Sequence, residues 1–120
     1  MTVSSDHRDF AEDWVEAWNS HDVDRILAHY EDDVILVSPR ALLVLGVEDG
    51  TVRGKRALGD YMRAGLRKVP DLTFTLKRVF SGVNSLVVEF ATSDGRHGAE
   101  FMDFGKSGHV SRVVVHYAAT

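Results

Sequence analysis

The spacing of apolar residues changes along this chain, from the three- or four-residue repeat of helices in its first part to the two-residue repeat of strands in its last part. Between residues 10 and 18 the apolar side chains recur every three or four positions, which predicts a helix with one buried face. A second, shorter helix follows, with its apolar positions between Val23 and Tyr30. The run 34–37 then predicts a strand, which Ser38 ends because the next residue is Pro39.

The remainder of the chain predicts one more helix and a series of strands. Residues 41–45 form another apolar run, and residues 46–50 follow it as a loop or hairpin turn. A third helix begins after Gly54 and is broken at Pro70. Helices gathered first and antiparallel strands afterwards are typical of an α+β domain, and we expect residues 1–120 to form one such domain. The strands predicted after the third helix are 72–76, 85–93, 96–104 and 109–117.

Asp94 and Gly95 form the strongest hairpin signal of the chain, because both residue types tolerate the positive φ that a two-residue type I′ turn requires. With these two residues as the turn, Glu89 lies opposite Glu100. Directly opposed residues of an antiparallel pair point to the same face of the sheet, where like charges are destabilising. The pattern therefore predicts two neighbouring carboxylates on a mostly apolar sheet.

Such a pair of carboxyl groups is suited to acid–base chemistry. In an apolar pocket the two do not both ionise cheaply, so one stays protonated near neutral pH. Glu100 would then donate to a carbonyl oxygen while Glu89 abstracts a proton, which supports enolisation, isomerisation, aldol cyclisation or dehydration. The alternative is that the pair lies at a solvated rim, or is neutralised by Arg112 or Arg96. A shift of one residue in the turn would also separate the two carboxylates.

The strand pattern also bears on assembly. Residues 113–115 are apolar on both faces, whereas a sheet with one face in water alternates apolar with polar residues. We therefore expect helices to cover one face and a second subunit to cover the other, in a homodimer formed through the outer sheet face. With both glutamates facing inward, strand alternation turns His97 and His116 toward that outer face.

Composition and charge narrow the classes of function. The 120 residues are 44% hydrophobic and carry a formal net charge of -4, which argues against a nucleic-acid partner because such a surface needs a clustered basic face. Cysteine is absent, the first residues lack the apolar core of a signal peptide, and no apolar run has the length of a membrane helix. We expect a cytoplasmic protein without membrane contact. No histidine pair has the spacing of a metal site, and no cofactor is implied.

Several spacings together match a known family. They are Trp14-x-x-x-Trp18-Asn19, Tyr30-x-x-Asp33-Val34, the strand end Ser38-Pro39, and Gly54-Lys55-Arg56-Ala57-Leu58-x-x-Tyr61. Through these motifs the chain resembles the nuclear transport factor 2-like superfamily, specifically its SnoaL-like and ketosteroid isomerase-like branch. The resemblance implies an α+β fold in which a cone-shaped, curved antiparallel sheet wraps around helices, as in the cystatin-like α+β roll, with a pocket at the wide end.

The resemblance also implies roles for individual residues. The general base of the ketosteroid isomerases is an aspartate just before a proline at the end of the first strand, a position that Ser38 occupies here. Trp14 takes the place of a tyrosine on the first helix that donates to the substrate oxyanion. Glu100 takes the place of the second donor, a protonated aspartic acid, and Tyr61 and Tyr117 fall at aromatic positions that line the pocket.

We therefore expect an apolar small-molecule ligand in a pocket. The leading hypothesis is an isomerase, cyclase or dehydratase that transfers a proton next to a carbonyl group. Because Ser38 replaces the family's base, the alternative is a non-catalytic ligand-binding or dimeric interaction module of the same fold. Trp18 is expected in the core. The expected catalytic residues are Glu100 and Glu89, and the expected ligand-binding residues are Trp14, Ser38, Tyr61, Tyr117 and Tyr30.

Overall fold

The described part of the chain contains four helices and six strands. The computed structural model describes residues 3–119, and the side chains of residues 6–119. The helices are α1 (Val3–Ser20), α2 (Val23–Leu27), α3 (Pro39–Leu45) and α4 (Lys55–Lys68). The strands are β1 (Tyr30–Val37), β2 (Thr51–Arg53), β3 (Phe74–Ser81), β4 (Ser85–Thr92), β5 (His97–Phe104) and β6 (Val110–Tyr117).

All six strands join one curved sheet in the order β2-β1-β6-β5-β4-β3. The last four strands form an antiparallel meander, as the sequence predicts. The sheet is nevertheless mixed rather than purely antiparallel, because β1 runs parallel to β6, with Leu36 opposite Val113. Helices packed on this sheet confirm the predicted α+β fold class.

Helices α1 and α4 pack on the sheet through the apolar stripes that their sequences predict. Helix α1 lies against β3, and α4 lies against β1. Trp14 on α1, and Leu58 and Met62 on α4, are at most 2% exposed. At the end of α1, the Asn19 side chain donates to the Phe74 carbonyl at 3.0 Å and accepts from the Phe74 N–H at 2.7 Å. This pair of hydrogen bonds fixes the helix to the first residue of β3.

Residues 39–45 form the short helix α3, which an apolar run alone does not identify. Its start is set by Ser38, whose hydroxyl oxygen accepts from the Arg40 N–H at 3.1 Å, and by Pro39 in the first turn. Gly46, with a φ of 70°, ends the helix. Ser38 thus ends β1, as predicted, and also begins the next element.

The hairpin between β4 and β5 turns through three residues rather than two. The Thr92 N–H donates to the Arg96 carbonyl at 2.8 Å, which leaves Ser93, Asp94 and Gly95 as the loop. Within this loop only Gly95 has a positive φ, of 90°, whereas a type I′ turn would require one at Asp94 as well. A glycine in this conformation at the last position is typical of three-residue hairpin loops.

The additional loop residue shifts the predicted strand pairing by one position. Glu89 lies opposite Ala99, and Glu100 lies opposite Val88. Because successive side chains alternate between the two faces, this shift places Glu89 on the outer face and Glu100 on the inner face. The predicted Glu89–Glu100 pair is therefore wrong.

Gly98 allows an aromatic ring to lie flat on the inner face of the hairpin. It lies opposite Phe90, and a Cβ at this position would come within 2.7 Å of the Phe90 Cζ and 3.0 Å of the His116 carbonyl oxygen. With no side chain at Gly98, the Phe90 ring stacks on Phe74 with ring centroids 5.0 Å apart. This stack continues into the wall of a cavity.

Candidate functional site

The cavity lies at the inner face of the sheet and is bordered by α1, α3 and α4. One wall is aromatic: Trp18 lies parallel to Phe74, with ring centroids 4.9 Å apart. Side chains of α3, α4, the sheet and the connection between α4 and β3 complete the apolar lining. They are Leu36, Val44, Met62, Leu72 and Val115.

The cavity is narrow. Its volume is only about 50 Å³, within about 550 Å³ of empty space that includes the mouth. One water molecule needs roughly 10–15 Å³ on this measure, so the closed cavity holds a few waters or a ligand of a few atoms. A ligand with several rings requires part of the wall to move.

Glu100 brings a carboxyl group into this cavity. On β5 it is paired with Val88 on one side and Val115 on the other, so its immediate neighbours in the sheet are apolar. Its side chain is 6% exposed, and among the described residues no group donates a hydrogen bond to it. Burial raises the pKa of Glu100 to about 8, although the nearby Arg96 acts in the opposite direction. Glu100 is therefore mainly protonated at neutral pH.

Three phenols lie within electrostatic range of Glu100, and each comes from a different element. Tyr30 begins β1 and Tyr61 lies on α4, and both line the cavity, whereas Tyr117 ends β6 and lies outside the lining, contrary to the sequence expectation. Burial is the main cause that raises the pKa of all three phenols, and the charge of Glu100 adds to it. The phenols consequently stay protonated. The Trp14 indole N–H donates to the Tyr30 oxygen at 2.9 Å, which leaves the Tyr30 hydroxyl hydrogen available to a ligand or to Glu100.

Arg96 joins the hairpin loop to the cavity. Its Nε donates to both carboxylate oxygens of Asp94, at 3.1 and 3.0 Å, and its guanidinium also donates to the Tyr117 hydroxyl oxygen at 3.1 Å. The guanidinium carbon lies 5.5 Å from the centroid of the Tyr117 ring. The three-residue loop that moves Glu89 out of the site thus also holds Arg96 and Tyr117 in place.

Glu89 lies outside the cavity, contrary to the sequence expectation. On the outer face it accepts from the Arg78 Nε at 2.6 Å and lies 3.0 Å from the His97 Nε2. The hydrogen bond from Arg78 is the main cause that lowers the pKa of Glu89. Glu89 is therefore an ionised surface carboxylate and has no access to a ligand beside Glu100. His97 and His116 lie on the same outer face, as predicted, and both are exposed.

Trp14 and Trp18 exchange the places expected from the sequence. Trp14 is fully buried in the core, whereas Trp18 lines the cavity. Ser38 does not line the cavity either: it is 1% exposed, caps α3 and accepts a hydrogen bond from the Tyr61 hydroxyl at 3.5 Å. Ser38 therefore acts on the site by positioning Tyr61 and the start of α3.

Two arginines of the cavity wall, Arg40 and Arg96, were not among the expected ligand-binding residues. The signal for Arg40 was present, because serine followed by proline is typical of a helix start. A helix that begins there places Arg40 and Val44 one turn apart on the same face, which is how both reach the cavity. The direction of the Arg96 side chain depends on the length of the hairpin loop, which is three residues rather than the expected two.

Within residues 6–119, no three His, Asp or Glu side chains are placed to hold a metal ion. The helices of the described range include none with both the length and the apolar character needed to cross a membrane. The cytoplasmic location expected from the sequence stays a prediction.

Comparison with known proteins finds one matching family. The family model described as the SnoaL-like domain matches residues 11–118. No curated protein matches the chain.

Several solved structures are similar to this fold. A SnoaL-like protein of unknown function from Burkholderia thailandensis is 36% identical, with a TM-score of 0.89 and 94% of each chain covered. A protein of unknown function with a cystatin-like fold, from Methylobium petroleophilum, is 14% identical, with a TM-score of 0.78, and the match covers 100% of this chain and 80% of that one. SalBIII, an epoxide hydrolase/cyclase-like enzyme in pyran ring formation in the polyether salinomycin, is 14% identical, with a TM-score of 0.76 and coverages of 98% and 95%. The last two likenesses concern the fold alone.

Proposed function

Since the chain belongs to the SnoaL-like domain family, we propose that it is a small-molecule enzyme that transfers a proton next to a carbonyl group. Glu100 is its acid–base residue, and the phenol of Tyr30, whose hydrogen is not donated to another described residue, is its hydrogen-bond donor. The observation that supports this most directly is the position of Glu100, which is 6% exposed and lines a cavity bordered by aromatic rings. A carboxyl group shifted by burial inside a cleft is typical of catalytic sites.

In the proposed reaction, the substrate carbonyl oxygen accepts a hydrogen bond from the Tyr30 phenol. Ionised Glu100 removes a proton from the neighbouring carbon. The C–H bond breaks, its electron pair forms the carbon–carbon double bond of an enolate, and the negative charge moves to the oxygen. Protonated Glu100 then returns the proton to a different carbon, which moves the double bond of the substrate and restores the carboxylate.

One carboxyl group is sufficient for this sequence of steps, because the base of the first step is the acid of the second. This differs from the chemistry expected from the sequence, in which Glu89 and Glu100 divide the two roles. Glu89 is held by Arg78 and His97 on the other face of the sheet, so it takes no part in the proposed reaction.

The pH dependence of the rate tests the role of Glu100. Its pKa is raised to about 8, and a general base acts only when ionised. With a neutral substrate, we therefore expect the rate to rise about tenfold per pH unit below this value and to level off above it. Proton NMR in deuterium oxide, with a β,γ-unsaturated cyclohexenone as substrate, measures both solvent exchange and movement of the double bond. A rate that falls above about pH 8 would instead assign Glu100 the role of an acid.

A non-catalytic ligand-binding module is the second candidate function. It is favoured by the narrow cavity and by Ser38, which caps a helix at the position where the ketosteroid isomerases carry their base. The two candidates differ in one observable. A ketone that binds in the cavity but exchanges no proton with the solvent at any pH would support the module and contradict the enzyme.

The outer face of the sheet supports the proposal of a homodimer. A row of apolar residues in register crosses five strands on this face: Phe80, Val87, Phe101, Val114 and Val37. Phe80 is 48% exposed, and the other four are only partly buried by the chain itself. A second copy packed on this row would remove it from water. A monomeric mass in sedimentation equilibrium would contradict this proposal.

A further inference from the structure

Arg40 differs from the other cationic groups near the cavity, because its charge has no partner. It lies in the first turn of α3, lines the cavity and is half-buried. Its backbone N–H donates to the Ser38 hydroxyl, but its guanidinium makes no hydrogen bond or ion pair with any of the described residues. Arg96, by contrast, is held by both oxygens of Asp94.

The carboxyl group of the cavity does not neutralise Arg40. Glu100 is mainly protonated at neutral pH because of its burial. Asp94 balances the charge of Arg96, so the cavity and its rim carry one surplus positive charge. Arg40 is close enough to Tyr61 and Tyr117 to lower the pKa of both phenols, which places its charge on the side of the cavity where they lie.

Two uncharged hydrogen-bond donors of the cavity wall also lack an acceptor among the described residues. Trp18 keeps its indole N–H buried without an acceptor among the described residues. The Tyr30 oxygen already accepts from Trp14, so this phenol keeps its own hydrogen to donate. A buried donor without a partner is costly, and a ligand rich in oxygen would satisfy both of these groups together.

From the unpaired Arg40 and these two donors, we infer that the natural ligand carries a carboxylate on an apolar body, with the carboxylate bound by Arg40. The planar fork of a guanidinium matches the two oxygens of a carboxylate. The apolar body would lie against Trp18 and Phe74. This inference rests on the proposed function and narrows its substrates to carbonyl compounds that bear a carboxylate.

Binding of matched acids and amides tests the inference. The chain contains two tryptophans, so the indole N–H signals in a nitrogen-15 NMR titration separate Trp18 in the cavity wall from Trp14 in the core. Propionate and benzoate are the probes, and propionamide and benzamide are their neutral matches. We expect the acids to shift the Trp18 signal and to bind at least tenfold more tightly than the amides.

Two arginine variants give the matched control. Arg40→Gln is expected to remove the preference for acids, and Arg40→Lys to restore part of it. Arg78→Gln removes an exposed guanidinium from the outer face and should leave the preference unchanged. The inference is overturned if amides bind as tightly as acids, if neither acid shifts the Trp18 signal, or if Arg40→Gln leaves the affinities as they are.

This experiment and the test of the proposed reaction fail separately. If a neutral ketone exchanges its protons but acids bind no more tightly than amides, the inferred carboxylate ligand is wrong and the proposed proton transfer is still supported. If acids bind more tightly than amides but a ketone that bears a carboxylate exchanges no protons, the proposed proton transfer is wrong and the inferred carboxylate site is still supported.

Discussion

Replacing Glu100 by glutamine should slow proton transfer by about 10²–10⁴-fold, which is the usual contribution of a general base. The amide has nearly the size of the protonated carboxyl group that fills this position at neutral pH, so the cavity should keep its shape. It has no ionised form that accepts a proton from carbon. The measurement is the rate of solvent deuterium exchange into a β,γ-unsaturated cyclohexenone at about pH 8.

Glu89→Gln is the matched control for this prediction. The same change of charge and shape then occurs on the neighbouring strand, but on the outer face beside Arg78 and His97. We expect its exchange rate to stay within about twofold of the wild type, since effects far from the reacting atoms are small. If Glu100→Gln reacts as fast as the wild type, the base lies elsewhere and the proposed mechanism is wrong.

Glu100→Gln should also make the protein more stable at alkaline pH. The pKa of Glu100 is raised from 4.5 to about 8 in the folded protein, so between these values the folded state holds a proton that the unfolded state has released. The free energy of unfolding of the wild type therefore falls as the pH rises through this window. At about 1.36 kcal/mol per pKa unit, the loss is on the order of 5 kcal/mol. Glutamine does not titrate and avoids it.

Guanidinium denaturation at about pH 5 and about pH 9 measures this effect. The midpoints of the wild type and Glu100→Gln should nearly coincide at the lower pH and separate at the higher one. Glu89→Gln should differ from the wild type by nearly the same amount at both pH values, because Arg78 lowers the pKa of Glu89 and its small contribution is lost only in more acidic solution. A difference between wild type and Glu100→Gln that stays constant with pH would contradict a buried, ionisable Glu100.

The fold was largely predictable from the sequence, since its long periodic segments determine the elements. The stripe of α1, the alternation of the strands and the motif from Gly54 to Tyr61 each agree with the structure. The short helix α3 was not predicted, because a run of five apolar residues does not distinguish a helix from a strand. The parallel pairing of β1 with β6 was not predicted either, because the local sequence pattern of a strand does not indicate which distant strand pairs with it.

The site was less predictable, because it depends on single-residue register. Asp94-Gly95 fits a two-residue turn and a three-residue loop equally well, and only the φ of Asp94 separates them. That difference decides whether Glu89 faces the ligand or the solvent. Trp14 and Trp18 lie one helical turn apart on the same face of α1, so periodicity alone does not say which of them reaches the cavity. Glu100, Tyr30 and Tyr61 were placed by resemblance and by residue type, and their roles stay proposals.

The parallel ladder between β1 and β6 makes the cavity depend on two segments that lie far apart in the chain. Strands β2 to β5 all lie between β1 and its partner β6 in the chain, although Leu36 lies directly opposite Val113. The meander of β3 to β6 pairs neighbours in the chain, whereas pairing of such distant segments slows folding. The first half of the chain must wait for Val110–Tyr117 before its helices have a complete sheet to cover. We therefore expect formation of the β1–β6 ladder to be a slow step in the folding of this domain.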